Sequence, residues 1–342
     1  MNNNRLYNYN YSPLDSQKEY EIKKLRKTSN GLGLFVFSYF IIMIVVTYSL
    51  VAVLTIISPR TNLLKESTPM FLLDIFISAF AAFIPSLFYF LFSGTSISDT
   101  IKVKCVKLKL LIPIVFLGLG VAMFANTVSN IIANNFSIFG LENSVDFSQT
   151  TDSMLEKVLY VIAVSLVPAL AEEFAFRGVV MGTLRKYGDS FAIISSAVLF
   201  GLMHGNISQI PFAFILGLIF AFVDCKTNSI LPSIIIHFLN NFYAVMMDIF
   251  QESYAISNKR FYIIYLLLVA ILCILGTISF FILLKNDKKF FSFNSNTGVT
   301  YTKNDLLSFK DKNKTFYISF GVLLCIILFA IETVTNLGII DV

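Results

Sequence analysis

The sequence has no tryptophan, only two histidines and few charged residues in a chain of 342. Charged residues make up 14% of the chain and hydrophobic residues 56%. Soluble domains have roughly 25% charged residues, and a soluble core could not take up this much apolar surface. The composition therefore excludes a soluble globular protein and predicts a polytopic membrane protein.

Cysteine is also scarce, and its four positions are far apart, with no Cys-x-x-Cys pair. We therefore expect the cysteines to be small apolar packing residues rather than metal ligands or a redox pair. We also expect no cleavable signal peptide. The first ~30 residues are polar, and the first apolar run is too long for a signal sequence.

Apolar runs of about 17–25 residues, the length that crosses a bilayer, recur along the chain. They predict an all-α fold, a polytopic transmembrane helical bundle of about eight or nine helices. The fifth and sixth runs are short and are separated by only a few polar residues. The predicted spans are 33–57, 70–92, 108–128, 155–172, 190–204, 208–224, 228–250, 261–284 and 316–335.

The basic residues predict the orientation, because lysine and arginine favour cytoplasmic loops. With a cytoplasmic N-terminus, 21 of the 26 lysines and arginines fall on the cytoplasmic side. The net charge of +5 is therefore a topology signal and does not indicate a nucleic-acid partner. We predict a multi-pass plasma-membrane protein whose partner is the lipid bilayer, and its Asn-, Lys-, Ile- and Phe-rich composition indicates a low-GC bacterium.

The same pattern divides the chain into four parts. Residues 1–30 are predicted to be a cytoplasmic tail and 31–284 a transmembrane bundle. Residues 285–315 are predicted to be a polar cytoplasmic loop, and 316–342 an additional C-terminal transmembrane helix. In that last span, Glu332 lies near the outer end and is expected to be solvated.

The stretch VPALAEEFAFRGVV places Glu172, Glu173 and Arg177 inside apolar sequence. Each charge costs roughly 2.5–3.5 kcal/mol in the centre of a bilayer, so intramembrane charges usually serve a site. Residues four apart share a helix face, which predicts a Glu173–Arg177 ion pair. Glu172 lies about 100° away and is left available for chemistry. The alternative is that all three are ordinary flanking charges at the cytoplasmic boundary.

The two histidines also lie in apolar sequence, His204 in FGLMH and His237 in HFLNN. Asn241 is one turn after His237 on the same face, whereas Asn240 is rotated away. A His/Asn pair can donate two convergent hydrogen bonds to an oxyanion. Glu172 with His204 could supply a base and a proton carrier for water activation.

Zinc is an alternative use of two carboxylates and two histidines. The chain has no HExxH motif and no third histidine, and adjacent glutamates are expected to diverge on a helix. Metal-free water activation is therefore the preferred prediction, with no cofactor. Pro168 and Pro232 are expected to loosen the helices before Glu172 and His237 and so free backbone carbonyls.

The segments EEFAFR, FGLMH and HFLNN match, in order, the EExxxR, FxxxH and HxxxN motifs. In residues 150–250 the chain thus resembles the CPBP family (Abi, or CAAX prenyl endopeptidase-like) of intramembrane glutamic peptidases. The resemblance implies catalytic roles for the four residues Glu172, His204, His237 and Asn241. It implies a supporting or substrate-orienting role for Glu173 and Arg177.

The function implied by the resemblance is cleavage of a membrane-associated peptide or protein. Bacterial members are associated with peptide-pheromone or bacteriocin maturation and with self-immunity. Two other classes remain open: a non-catalytic immunity or scaffold protein on the same fold, and a proton-coupled transporter, which would more often show two matching halves.

Overall fold

The computed structural model describes residues 13–57, 67–138, 141–143, 151–254, 258–292 and 306–339. These residues form a helical bundle with one very short antiparallel ladder. The helices are α1 (Pro13–Ile57), α2 (Ser67–Ser93), α3 (Ile97–Thr100), α4 (Leu108–Ile138), α5 (Met154–Val161), α6 (Val167–Glu173), α7 (Gly182–Leu184), α8 (Asp189–Met203), α9 (Gln209–Thr227), α10 (Leu231–Tyr254), α11 (Asn258–Asn286), α12 (Phe309–Tyr317) and α13 (Phe320–Thr335). The ladder pairs β1 (Leu141–Asn143) with β2 (Leu337–Ile339).

The predicted fold class, a polytopic helical bundle, is confirmed. Seven helices in the described part of the chain are long and apolar enough to cross a membrane. The number rises to eight if α12 and α13, which meet at 66°, count as one broken span. The fifth predicted span falls short, because α8 has only 15 residues. The sequence analysis listed nine spans. This is one or two more than the helices of the described residues that have the length and composition to cross a membrane.

The chain outside the bundle is more helical than its polarity suggested. Helix α1 begins at Pro13 and includes the second half of the predicted cytoplasmic tail. In the polar segment 285–315, a capping box at Ser308 and Asp311 starts the short helix α12. Residues 1–12 of the tail and 293–305 of the loop lie outside the described residues.

The additional helix α13 packs tightly against α1. A Cβ atom on Gly33 would lie 2.1 Å from the backbone carbon of Gly321, so both positions need glycine for this close approach. The Asn30 side chain accepts a 3.2 Å hydrogen bond from the Gly321 amide, and the Cys325 thiol donates to the Gly33 carbonyl over 2.8 Å. Small residues and polar side chains typically hold transmembrane helices together in this way.

The centre of the bundle is formed by the chain from α5 to α10. Helices α8 and α9 pack on each other, α4 packs on α9 and α11, and α10 packs on α4, α6 and α9. Among the largest fully buried side chains are Arg177, Phe176, Phe200 and Phe220. The predicted catalytic motifs are therefore in the core rather than on a lipid-facing surface.

Candidate active site

The segment that carries both glutamates is a helix with two π-helical insertions. Ile162–Leu166 and Phe174–Met181 are π-helical, and the seven-residue α6 with Glu172 and Glu173 lies between them. π-Helical turns are rare and occur frequently at functional sites. The sequence spacing did not reveal them. Their effect is to widen the helix on both sides of the two glutamates, so ideal α-helical angles do not describe this segment.

Glu173 and Arg177 form the predicted ion pair, and it is completely buried. The Arg177 Nε atom lies 3.1 Å from Glu173 Oε2, and the two side chains are 1% and 0% exposed. The guanidinium carbon lies 4.2 Å from the ring centre of Phe200 and 5.1 Å from that of Phe220. Within the described residues, Arg177 Nη1 and Nη2 have no hydrogen-bond partner. The charge of Arg177 is thus balanced by carboxylates and by aromatic ring faces.

His237 lies between the two glutamates. Its Nδ1 atom is 2.9 Å from Glu173 Oε1, and its Nε2 atom is 3.9 Å from Glu172 Oε2. The two nitrogens of an imidazole point in different directions, so the adjacent glutamates approach one ring from different sides. The Glu172 side chain is 19% exposed whereas Glu173 is fully buried. Glu172 is the accessible carboxylate of the two.

The imidazole of His237 is held at one ring nitrogen and on its face. A carboxylate paired with arginine only accepts hydrogen bonds, so His237 Nδ1 donates to Glu173. The ring of Phe220 stacks on His237 with the centres 5.3 Å apart. The Nε2 atom is the ring nitrogen directed at Glu172, at a distance too long for a direct hydrogen bond.

His204 lies at the C-terminal end of α8, and its tautomer is set by the backbone. Its Nδ1 atom is 2.9 Å from the carbonyl oxygen of Phe200, which can only accept, so Nδ1 carries a hydrogen. In the neutral ring, Nε2 is then the proton acceptor. Glu172 and His237 are close enough to His204 to interact with it electrostatically. The structure thus brings His204 to the same centre, without a direct hydrogen bond to Glu172 among those it describes.

The loop after His204 is fixed by the C-terminal helix. Gly205 has a left-handed backbone with φ of 55°, and its carbonyl accepts a 2.9 Å hydrogen bond from Asn336. A Cβ atom on Gly205 would lie 2.6 Å from Cγ of Glu332. Glu332, expected to be solvated, is instead partly buried against this loop. The additional span therefore contributes to the position of a predicted catalytic residue.

Asn241 reaches the glutamate-bearing segment through the backbone carbonyl of Val164. Its Nδ2 atom donates a 3.1 Å hydrogen bond to the Val164 carbonyl. In a regular helix this carbonyl would bond the amide of residue 168, but Pro168 has no N–H. Asn240, expected to face away, donates to Asn241 Oδ1 over 3.1 Å. Pro232, in contrast, loosens nothing, because it is the second residue of α10, where proline is well tolerated.

Asp224 is a buried carboxylate that the sequence analysis missed. It is 2% exposed and accepts the Ser233 amide over 3.2 Å and the Ser233 hydroxyl over 2.6 Å. These bonds hold the first turn of α10, one turn before His237. Asp224 is also close enough to Arg177 and Glu173 to interact with them electrostatically. In the sequence, Asp224 is a single charged residue at the end of an apolar run, and it therefore looks like an ordinary residue that flanks a transmembrane span.

Beside Asn241 is a cavity of about 330 Å³. Its lining is unusually rich in carboxamides and includes Asn126, Asn130, Gln209, Asn240 and Asn241. Within the described ranges, no group of three or more His, Cys, Asp or Glu side chains has the arrangement of a metal site. Glu172 still lies close to both histidines, which are residues that can bind zinc. That the site works without a cofactor therefore stays a prediction.

Comparison with known proteins supports the family resemblance. Residues 154–243 match the family described as type II CAAX prenyl endopeptidase Rce1-like. The match confirms the resemblance predicted from the three motifs, and it includes all six residues of the site. No solved structure matches the chain significantly.

Two curated relatives are bacterial membrane proteins. The chain is 28% identical over 134 residues to YdiL of Bacillus subtilis (strain 168), a provisionally assigned membrane peptidase. It is 28% identical over 149 residues to the membrane-embedded CAAX protease MroQ of Staphylococcus aureus (strain USA300). The matched regions cover 39% and 41% of this chain and 54% and 60% of the relatives. The chain thus spans a little more than half the length of the curated relatives it matches.

Proposed function

We propose that this protein is an intramembrane endopeptidase that hydrolyses a peptide bond at Glu172 and His237. The observation that carries the proposal is the arrangement of these two groups. An accessible glutamate faces a histidine whose other nitrogen is held by a buried ion pair. The match to a family of membrane endopeptidases over the same residues supports it at the family level.

The first step is activation of a water molecule by Glu172. Glu172 Oε2 is buried without a hydrogen-bond partner among the described residues and lies 3.9 Å from His237 Nε2, and in this proposal it takes up a water beside that nitrogen when the substrate binds. The carboxylate takes a proton from this water while the water oxygen attacks the carbonyl carbon of the substrate. His204 assists in the next step. Its Nε2 atom accepts the proton that Glu172 took from the water and delivers it to the nitrogen of the leaving amine.

The second requirement is stabilisation of the oxyanion. His237 donates from Nε2 in this role, which requires a proton on Nε2 in addition to the one that Nδ1 shares with Glu173. Asn241 has two Nδ2 hydrogens, of which one is used by the Val164 carbonyl and the other can point to the substrate. Collapse of the intermediate breaks the C–N bond and yields a carboxylic acid and an amine.

Glu173 and Arg177 orient this machinery. Glu173 fixes the His237 ring, and Arg177 neutralises Glu173 in a site that water does not reach. The carboxamide-lined cavity beside Asn241 offers donors and acceptors to the backbone of an extended peptide. We propose that the substrate is a short membrane-associated peptide or a membrane protein, as in pheromone or bacteriocin maturation or self-immunity.

The setting is a plasma membrane, with the N-terminus in the cytoplasm. The asymmetry of lysine and arginine between the loops supports this orientation. Two other functions remain distinguishable by experiment. One is a zinc-dependent peptidase that uses the same residues, and the other is a non-catalytic immunity or scaffold protein on the same fold.

The test is single-turnover cleavage of a library of membrane-tethered peptides by the purified protein in lipid. Wild type is compared with Glu172→Gln and His204→Ala, with and without a strong chelator. The matched control is Glu19→Gln, the same substitution on the exposed face of α1. We expect cleavage that persists under chelation, is lost in Glu172→Gln, falls strongly in His204→Ala, and is unchanged in the control.

Other outcomes point to the alternatives. Loss of cleavage under chelation, with recovery on addition of zinc, would establish the metal-dependent enzyme. Absence of cleavage in wild type, together with a cellular phenotype that survives Glu172→Gln, would establish the scaffold. A Glu172→Gln protein that cleaves at the wild-type rate would remove Glu172 from its role as base.

A further inference from the structure

A second cavity lies away from the catalytic residues, between α1, α2 and the end of the glutamate-bearing segment. It has a volume of about 580 Å³, which is within the usual size range of ligand sites. Its lining combines amines, hydroxyls and a long apolar surface. Its members include Lys24, Lys27, Lys186, Phe35, Phe88 and Phe92. We call this cavity the α1–α2 groove.

The two walls of the groove are helical stripes. From α1, the lining residues recur at 24, 27, 28, 31, 34, 35, 38 and 42, which is one face of the helix. From α2, they recur at 85, 88, 89, 92 and 93, again one face. Buried Phe35 and Tyr89 are in ring contact, with centres 5.7 Å apart, and form the floor between the walls.

The two ends of the groove differ in chemistry. Lys24, Lys27 and Lys186 form one end, whereas Ile42 and Pro85 lie toward the other. Helix α1 rises ~27 Å from Lys24 to Ile42. The hydrocarbon of one leaflet is ~15 Å deep, so the groove is long enough to run from the headgroup region well into the acyl chains.

The amines at the basic end lack close counter-ions. Lys24 and Lys186 are near enough to repel each other, and Glu21 is near enough to attract Lys186. In the described part of the chain, none of the three amines is within 4 Å of a carboxylate. Holding like charges together is unfavourable unless an anion joins them.

The walls next to these amines carry exposed apolar side chains. Phe88 is 54% and Phe92 83% exposed, and Leu34, on the opposite wall, is 45% exposed. In a bilayer such surfaces contact acyl chains. We infer that the α1–α2 groove binds an anionic phospholipid, with the phosphate at the three lysines and an acyl chain along the phenylalanine wall. Basic pockets between transmembrane helices recognise anionic headgroups in this way.

The absence of tryptophan allows a direct test. Phe88→Trp places a single tryptophan on the wall of the groove, and Phe124→Trp places one on the exposed face of α4, 15 residues from Lys109, as the matched control. Each variant is reconstituted in bilayers that contain brominated phosphatidylglycerol or brominated phosphatidylcholine, which quench tryptophan on contact. The lysines are then changed to glutamine in the Phe88→Trp background.

We expect phosphatidylglycerol to be favoured at Phe88→Trp by about fivefold or more in relative affinity, since each nearby lysine adds attraction for anionic lipid. At Phe124→Trp we expect no preference. Lys24, Lys27 and Lys186 changed together to glutamine should remove the preference. The same change at Lys285, Lys288 and Lys289, which are exposed near the end of α11, should leave it.

Three results would overturn the inference. The first is equal quenching by the two lipids at Phe88→Trp. The second is equal loss of preference in both lysine triples, which would reduce the effect to general surface charge. The third is loss of preference on addition of inorganic phosphate alone, which would make the basic end a small-anion site. Lipid retained by the wild type but not by the groove triple in native mass spectrometry would support it independently. The test does not depend on cleavage.

Discussion

The buried ion pair gives the sharpest test of how the site is held together. In Glu173→Gln, the volume and one hydrogen-bond acceptor for His237 are retained, but the negative charge beside Arg177 is lost. Arg177 is 1% exposed and cannot reach water by a small movement. Breaking a buried pair by removing one partner costs about 3–5 kcal/mol, because the other charge stays buried without compensation.

The structure places the expected loss near the lower end of that range. Glu172 and Asp224 remain close enough to attract Arg177, and the faces of Phe200 and Phe220 also stabilise the guanidinium. We therefore expect Glu173→Gln to lower the free energy of unfolding by about 3 kcal/mol. The assay is reversible unfolding in bicelles, followed by steric trapping or by denaturant.

Two controls separate charge compensation from a general effect of substitution. Glu172→Gln is the same change at the adjacent residue, which is 19% exposed and, in the described part of the chain, lies within 4 Å of no arginine, so we expect a loss below about 1 kcal/mol. The double variant Glu173→Gln with Arg177→Met removes both charges and should lose less than the sum of the single variants. Equal stability of Glu173→Gln and Glu172→Gln, or simple additivity in the double variant, would refute the reasoning.

Three further predictions concern the partners of the catalytic residues. Asn241→Leu removes both the donor to the Val164 carbonyl and the proposed oxyanion donor. The rate of single-turnover cleavage should fall by about 10²–10³-fold, while the free energy of unfolding changes little. An undiminished cleavage rate would contradict the proposed role. Gly205→Ala forces alanine into a left-handed conformation, and thermal unfolding should show a loss of roughly 1–2 kcal/mol; an unchanged midpoint would contradict it. Asp224→Asn weakens the bonds to Ser233, so the free energy of unfolding should fall by about 1–3 kcal/mol, as it would not if these bonds were unimportant.

Several features of the site followed from patterns within one helix. The i,i+4 spacing of Glu173 and Arg177 predicted their ion pair, and the structure has it at 3.1 Å. Pro168 predicted carbonyls turned toward other partners before Glu172, and the Val164 carbonyl, four residues before Pro168, accepts the Asn241 amide. Both are local consequences of backbone geometry, which a single sequence encodes directly.

Other features depended on geometry that no regular pattern encodes. The sequence did not predict the π-helical turns on both sides of α6, nor that Glu172 and Glu173 would face the two nitrogens of the His237 ring. The misreading of Pro232 came from placing the start of α10 too early, since a proline has opposite effects inside a helix and at its first turn.

The sequence alone determined the class of the protein, the approximate number and order of its helices, and the family that its three motifs resemble. These follow from composition and short spacings, which report how each segment interacts with lipid or water. Tertiary structure decided which groups meet: His237 with Glu173, 64 positions apart; Asn241 with Val164, 77 positions apart; and Asn336 with Gly205, 131 positions apart. Such contacts depend on how whole helices pack, and no local pattern specifies the partner that packing brings to a given side chain.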